Sequence, residues 1–420
     1  MRFLHVADLH LDSPLRGLER YEGAPVAAIR GATRRALERL VDLALAEPVD
    51  AVLIAGDVYD GDWRDYSTGL FLAAQLARLR AAGVPVVLIS GNHDAASVIA
   101  RSLPLPANVR VLSVEQPETM LLEDIGLAVH GQGFATRAVA HDLSAAYPAP
   151  VPGALNVGLL HTSADGRVGH AAYAPCTLAG LTRLGYDYWA LGHVHAREVV
   201  SSDPWVVFPG NLQGRHVKET GPKGATLVTV HGGRITSVEH RALDVLRWLR
   251  VGVDATAADH PDDVLELAAQ ALTAALGEAD GRPLAVRVEA HGATPAHARL
   301  LARPEALLQA LRARATDLGG GAIWIERLRV RTTPPGRPAR DAADASIATL
   351  LDGVRRARRD DTAVRDLAGQ LADLRGRLPI ELTTGEDALD LGAPEVLLRL
   401  LADAEALVVD RVLGTAEDAA

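Results

Sequence analysis

The chain has 420 residues, more than one ordinary core organises, so two or three domains are expected. Hydrophobic residues make up 48%, which excludes a disordered chain, and the single cysteine, Cys176, excludes both a disulfide framework and a thiolate zinc site within the chain and fits a reducing cytoplasm. The net charge of −10 argues against a protein that coats itself in polyanion, although acidic side chains are also what a cation site requires.

In chain order, Phe3 to Ala7 forms a short apolar run that predicts a buried strand. The segment from Met1 to Asp8 offers neither a signal-peptide core nor a small-residue cleavage site, and no long charge-free apolar run follows, so no membrane span is expected. Ala36, Leu37, Leu40, Val41, Ala44 and Leu45 have helical spacing. Ala51 to Ala55 predicts a strand, Gly69 to Ala82 a helix closed by Gly83, and Pro85 to Ile89 another strand. Further strands are predicted at 127–130, 156–161, 187–191, 205–208, 225–230 and 235–240. Alternation of strand and helix followed by denser strands implies an α/β chain, with a sheet sandwich flanked by helices.

The pattern then restarts, with strands at 248–253, 284–290 and 323–330 and helices near 262–277 and 303–317. The expected organisation is a site-bearing domain over 1–240, a small α+β domain over 241–331, a linker over 332–344 and a helical region over 345–420. Pro334, Pro335, Gly336 and Pro338 mark the linker, and helical patterns follow at 345–358, 361–377 and 394–413.

Five short motifs each follow an apolar run: Asp8-Leu9-His10, Gly56-Asp57-Val58-Tyr59-Asp60, Gly91-Asn92-His93-Asp94, His161, and Gly192-His193-Val194-His195. Strand ends are where sheets gather sites, so the five can aim at one point. Taken singly, Asp-x-His is common by chance, Gly-Asp is often a turn, and a strand histidine is usually a satisfied core residue. Together they supply carboxylates and imidazoles suited to divalent Mn, Fe or Zn. Asp8 and His10 are expected to share one face of an extended stretch. His193 and His195 either do likewise or splay toward separate metals. The preceding glycines, Gly56, Gly91 and Gly192, permit close backbone approach.

In order and type these motifs resemble the calcineurin-like metallophosphoesterases. Ala7 to Pro14, Gly61-Asp62-Trp63-Arg64-Asp65-Tyr66 and Phe208 to His216 narrow the resemblance to bacterial SbcD-like DNA repair exonucleases of the YhaO-type branch. It is strong over 1–240, weaker over 241–330 and poor after 331. The resemblance implies a metallophosphoesterase sandwich with a small capping domain and a C-terminal helical region. It implies two divalent ions, Mn²⁺ first, with Fe²⁺, Zn²⁺ and Mg²⁺ as alternatives. Asp8, His10, Asp57 and His195 would hold one; Asp57, Asn92, His161 and His193 would hold the other, with Asp57 bridging. His93 would serve as proton donor or transition-state stabiliser, oriented by Asp94. Asp60 stands where archaeal and eukaryotic relatives carry histidine, which puts that histidine's part in handling DNA in doubt.

Beyond the motifs, Arg215 and His216 are candidates for contact with substrate phosphate. Asp12 and Ser13 either support the first ligands or cap a helix near Pro14. Trp63 and Tyr66 either stack on bases or pack, and the run Arg355-Arg356-Ala357-Arg358-Arg359 either meets a partner or forms a solvated face. The expected activity is metal-dependent hydrolysis of DNA phosphodiesters. Small nucleotides or phosphoproteins are the rival substrates, and a non-catalytic repair scaffold is the rival class. Expected partners are DNA, an SMC-like coiled-coil ATPase and a second copy of the chain.

Overall fold

The computed structural model describes residues 1–15, 31–60, 66–96, 104–164, 173–335, 353, 356, 359–378 and 389–417, the side chains of 406–417 excepted. Trp63, most of the Pro-Gly linker and the helical pattern at 345–358, apart from residues 353 and 356, lie outside this set.

The first half alternates β1 (Arg2–Val6), α1 (Ala32–Ala46), β2 (Ala51–Ala55), α2 (Tyr66–Ala81), β3 (Val86–Ile89) and β4 (Val109–Val111). The chain continues through β5 (Glu118–Leu122), β6 (Leu127–Gly131), β7 (Leu155–His161), α3 (Leu178–Arg183) and β8 (Tyr188–Gly192). It then adds β9 (Glu198–Ser202), β10 (Trp205–Phe208), β11 (Gly224–His231) and β12 (Arg234–Ala242). Two six-stranded sheets result, in the orders β12-β11-β1-β2-β3-β4 and β5-β6-β7-β8-β10-β9. The strands β1 to β4 run parallel, as do β6, β7, β8 and β10, while β11, β12, β5 and β9 pair antiparallel.

The period of two along each strand decides which layer a residue joins. Phe3, Leu53, Val87, Val129, Val157 and Ala190 share the cluster between the sheets. Their neighbours Leu4, Val6, Ile54 and Leu88 face outward and meet Ala36, Leu37, Leu40, Leu72 and Leu76 of α1 and α2. On the second sheet, Trp189, Leu191 and Phe208 pack with Leu181 of α3 and Tyr147. Each fully buried side chain of this size stabilises the fold by about 1.5–3 kcal/mol relative to exposure. His5 sits in this interior as a satisfied histidine: Nε2 donates to Leu191 O at 3.1 Å and Nδ1 accepts from the Tyr188 hydroxyl at 3.0 Å.

Residues Met1–Leu249 with Leu276–Val286 form one compact unit, and Arg250–Ala275 with Arg287–Ala420 form a second. A three-stranded sheet has the order β13 (Arg247–Asp254), β14 (Leu284–Ala293), β15 (Ile323–Thr333). The second unit also holds the helices α4 (Pro261–Gly277, its last two residues excepted), α5 (His297–Ala302) and α6 (Pro304–Gly319). It ends in α7 (Asp361–Gln370), α8 (Ala372–Arg377) and α9 (Pro394–Glu417), where Val364, Leu391 and Leu397 form a small cluster.

Thr332 and Thr333, expected to begin the linker, instead extend β15. Their branched side chains suit extended backbone; Thr333 O accepts from Thr294 N at 2.9 Å, and Thr332 Oγ1 lies 2.9 Å from His297 Nδ1. No helix among the described residues is long and apolar enough to cross a membrane.

Candidate metal centre

All seven expected ligands converge at the carboxyl ends of β1, β2, β3, β7 and β8. Asp8, His10 and His195 present ligand atoms within 4.8 Å of one another, as do Asp57, His161 and His193. His10 Nε2 lies 3.2 Å from His195 Nε2, and His161 Nε2 lies 2.9 Å from Asn92 Oδ1. Asp57 joins the two groups, its Oδ2 being 3.4 Å from His161 Nε2 and 3.9 Å from His10 Nε2. Asp57 Oδ1 is held by the His93 N–H at 2.9 Å.

The backbone that carries these ligands is unusual. Asp8, His10, Asp57 and His193 have φ of +52°, +40°, +53° and +96°. Side chains rarely occupy this region, at a cost of about 1–3 kcal/mol each, and the surrounding fold must hold them there. It does so by sewing one loop to another: Asp8 N donates to Gly56 O at 3.0 Å, and His10 N to Asp57 O at 3.1 Å. Asp8 and His10 therefore meet through left-handed turns, not as alternate residues of an extended strand. His193 and His195 splay, one to each group. Gly91 and Gly192 are required by space: a Cβ on the first would overlap Asp57, and on the second the Ala55 carbonyl.

Two imidazoles are locked by partners on their far nitrogens. His161 Nδ1 donates to Ala55 O at 2.9 Å, and His195 Nδ1 donates to Glu219 Oε1 at 2.7 Å. Each Nε2 is then the atom left to face the cluster. For His161 those neighbours are the acceptor Oδ1 of Asn92 and the carboxylate of Asp57, so a cation belongs between them. Burial opposes a positive charge on His161, but Asp57 and Asp8 outweigh it and push the ring up to about 9. Burial likewise opposes ionisation of Asp57, and His161, His10 and His93 outweigh it, holding the carboxyl well below the usual range. Oxygen and nitrogen donors locked in these orientations fit a pair of divalent cations.

His93 stands beside the centre, its ring centroid 5.0 Å from that of His10. Its carboxylate partner is Asp60, 3.3 Å from Nδ1, and not Asp94. Asp94 is turned toward the backbone instead, where it accepts from Val58 N, Tyr59 N and Gly91 N at 3.2, 3.0 and 3.0 Å. Burial and the charge of Asp57 raise Asp94 to about 7. Asp94 thus shapes the loops that carry Asp57 and Asn92.

Ser13 donates to Asp60 at 2.8 Å, while Asp12 pairs with Arg34 at 2.6 Å and so ties the first loop to α1. Arg215 lies between Asp60 and Glu219, 3.4 and 3.3 Å away, and His216 Nε2 is 3.4 Å from Glu219. Tyr66 opens α2 and is exposed; of the arginine run, Arg356 and Arg359 alone are described, both exposed. The residue that motif reasoning missed is Glu219. Its signal was faint: it is the sole acid between Gly210 and Gly224.

The calcineurin-like phosphoesterase family matches residues 1–197, and the middle domain of metallophosphoesterase YhaO matches residues 248–333. The uncharacterized metallophosphoesterase YhaO of Bacillus subtilis (strain 168) is 36% identical over 299 residues, covering 70% of this chain and 72% of that one. The DNA double-strand break repair protein Mre11 of Methanopyrus kandleri is 27% identical over 238 residues, 50% of this chain and 48% of that one. A subunit of the nuclease SbcCD from Rhodobacter capsulatus is 35% identical over 139 residues, 33% and 28% of the two chains. The chain thus spans less than half the length of the last two. It belongs to the calcineurin-like metallophosphoesterases, phosphoester hydrolases whose members bind a dinuclear metal centre.

Proposed function

We propose that this chain hydrolyses phosphodiester bonds in DNA at a two-metal centre, with Mn²⁺ as the working ion. The ligands are Asp8, His10, Asp57 and His195 on one side and Asp57, Asn92, His161 and His193 on the other. The observation that carries the reading is Asp57, whose carboxylate is shared between two histidine-rich groups. When bound, the paired cations supply a water of lowered pKa and positive charge for the phosphate oxygens.

The protein's own residues do the rest. Glu219 and the Ala55 carbonyl fix the tautomers of His195 and His161. Asp60 orients His93 through Nδ1, so that Nε2 offers a proton to the departing oxygen. Arg215 and His216, beside His195, contact substrate phosphate. DNA is favoured over small nucleotides or phosphoproteins by the nuclease and repair names of the two partial relatives. A non-catalytic scaffold is disfavoured by the completeness of the ligand set, since a decaying site loses ligands first. An SMC-like ATPase partner, a homodimer and a cytoplasmic location complete the reading; the buried thiol of Cys176, which forms no disulfide, suits a reducing compartment.

The test compares bis-p-nitrophenyl phosphate with labelled linear DNA in Mn²⁺. Cleavage of both, with His93→Ala losing cleavage while binding metal, supports the proposal. Rapid turnover of the small diester with intact DNA, beside a DNA-competent control enzyme, contradicts the DNA assignment. Pull-down of an ATPase and light scattering test the partners; a monomer that captures no ATPase contradicts them.

A further inference from the structure

The chain contains two lysines against 41 arginines, and both line a single cavity. That cavity, of about 420 Å³, opens beside His195 and is bounded by Arg215, His216, Lys218, Glu219 and Lys223. Its volume falls within the range of roughly 300–1,000 Å³ usual for ligand pockets. We propose that it is a second anion subsite, which receives the phosphate adjoining the scissile one in substrates bearing at least two phosphate groups. The inference rests on the phosphodiesterase reading above.

Arg215 and His216 face Glu219 at 3.3 and 3.4 Å, and Arg215 also faces Asp60 at 3.4 Å, so the two lysines carry the charge left for a ligand. Glu219 is the one carboxylate among the lining residues, and both its oxygens are engaged: Oε1 by His195 at 2.7 Å, and Oε2 by Asn211 Nδ2 at 2.8 Å and Arg215 N at 2.7 Å. Lys223 is 5% exposed. Its ammonium has three donors, and its one acceptor among the described residues is His195 O at 2.7 Å. Two donors of a nearly buried cation therefore remain for a ligand. Lys218 is exposed at the rim. A compact ammonium is a point-charge donor that suits a phosphate approached from several directions. Since His195 belongs both to the metal group and to the cavity wall, an anion there sits next to the reacting phosphate, not on a remote surface.

The test uses Lys218, whose side chain holds nothing in place; Lys223 is left intact because it supports the His195 backbone. The full-length chain in EDTA is titrated calorimetrically with inorganic pyrophosphate. Wild type is expected to bind, Lys218→Glu to weaken binding at least tenfold, and Lys218→Arg to restore it. Kinetics in Mn²⁺ then compare the thymidine dinucleotide dTpdT with its 5′- and 3′-phosphorylated forms. One added phosphate is expected to raise kcat/KM about tenfold, and Lys218→Glu to remove that gain while sparing dTpdT. The position of the effective phosphate separates a nucleic-acid strand from a terminal diphosphate as the source. Equal pyrophosphate binding by all three proteins overturns the subsite, as does a loss in Lys218→Glu that is equal for all three dinucleotides. Lysine-dependent pyrophosphate binding without hydrolysis of any dinucleotide supports the subsite and instead defeats the phosphodiesterase reading.

Discussion

Glu219 accepts from His195 Nδ1 at 2.7 Å, and on the other side of that ring Nε2 faces His10 Nε2 at 3.2 Å. One carboxylate, absent from every motif, thereby decides which nitrogen of a metal-facing histidine is available. Partners of this kind are commonly worth 10- to 100-fold in metal affinity. Glu219→Gln is expected to weaken one of two Mn²⁺ binding events by roughly that factor. Competition with a metal-sensitive dye measures it; unchanged affinity at both sites contradicts the role.

The division of labour between Asp60 and Asp94 gives a paired prediction. Asp60→Asn, which alters the partner of His93, should lower kcat with little change in thermal stability. His93→Ala should lower kcat by about 10²–10⁴-fold. Asp94→Ala strips three backbone N–H groups of their acceptor, at about 1–3 kcal/mol for each that stays buried and unsatisfied. Its signature should be a lower Tm. A catalytic loss in Asp94→Ala at unchanged Tm would return Asp94 to the role of orienting His93.

Gly91→Ala places a methyl group against the Asp57 carboxylate and backbone. The loops must shift, so both metal groups should loosen, with a stability loss of about 1–3 kcal/mol. Urea unfolding and Mn²⁺ titration of the same variant check this. Full metal affinity together with wild-type stability would show that the close approach is not needed.

Acid should destabilise the fold through His5. Burial lowers its pKa to about 3 from an ordinary value of 6.5, with the Leu191 carbonyl opposing. Between those values the unfolded chain takes up a proton that the native chain refuses, so stability falls as pH drops from 6.5 toward 3. The contribution is at most on the order of a few kcal/mol. His5→Gln should flatten the pH dependence of the urea midpoint in that window; an equally steep profile contradicts the assignment.

Much of this site was legible because each expected ligand follows an apolar run that reads as a buried strand. The run fixes where the chain leaves the core, and the ligand comes next. What the run does not encode is the exit geometry, and so the left-handed turns at Asp8 and His10 replaced the expected extended pair. The carboxylates of Asp60 and Asp94 were open to confusion for the same reason: both flank ligands, and only loop packing decides which one reaches His93. Three strands escaped prediction, β4, β5 and β9, and all three are sheet edges. Their mixed polar and apolar residues are half-exposed, so periodicity there is weak. The small helix α5 was missed because its first turn opens directly from the β14 exit, with no side-chain cap to announce it.

The most direct test of the central claim is anomalous scattering from crystals soaked in Mn²⁺. The account predicts two peaks per chain, one bounded by Asp8, His10, Asp57 and His195, the other by Asp57, Asn92, His161 and His193. A single peak away from Asp57, or no peak at these residues, would contradict it.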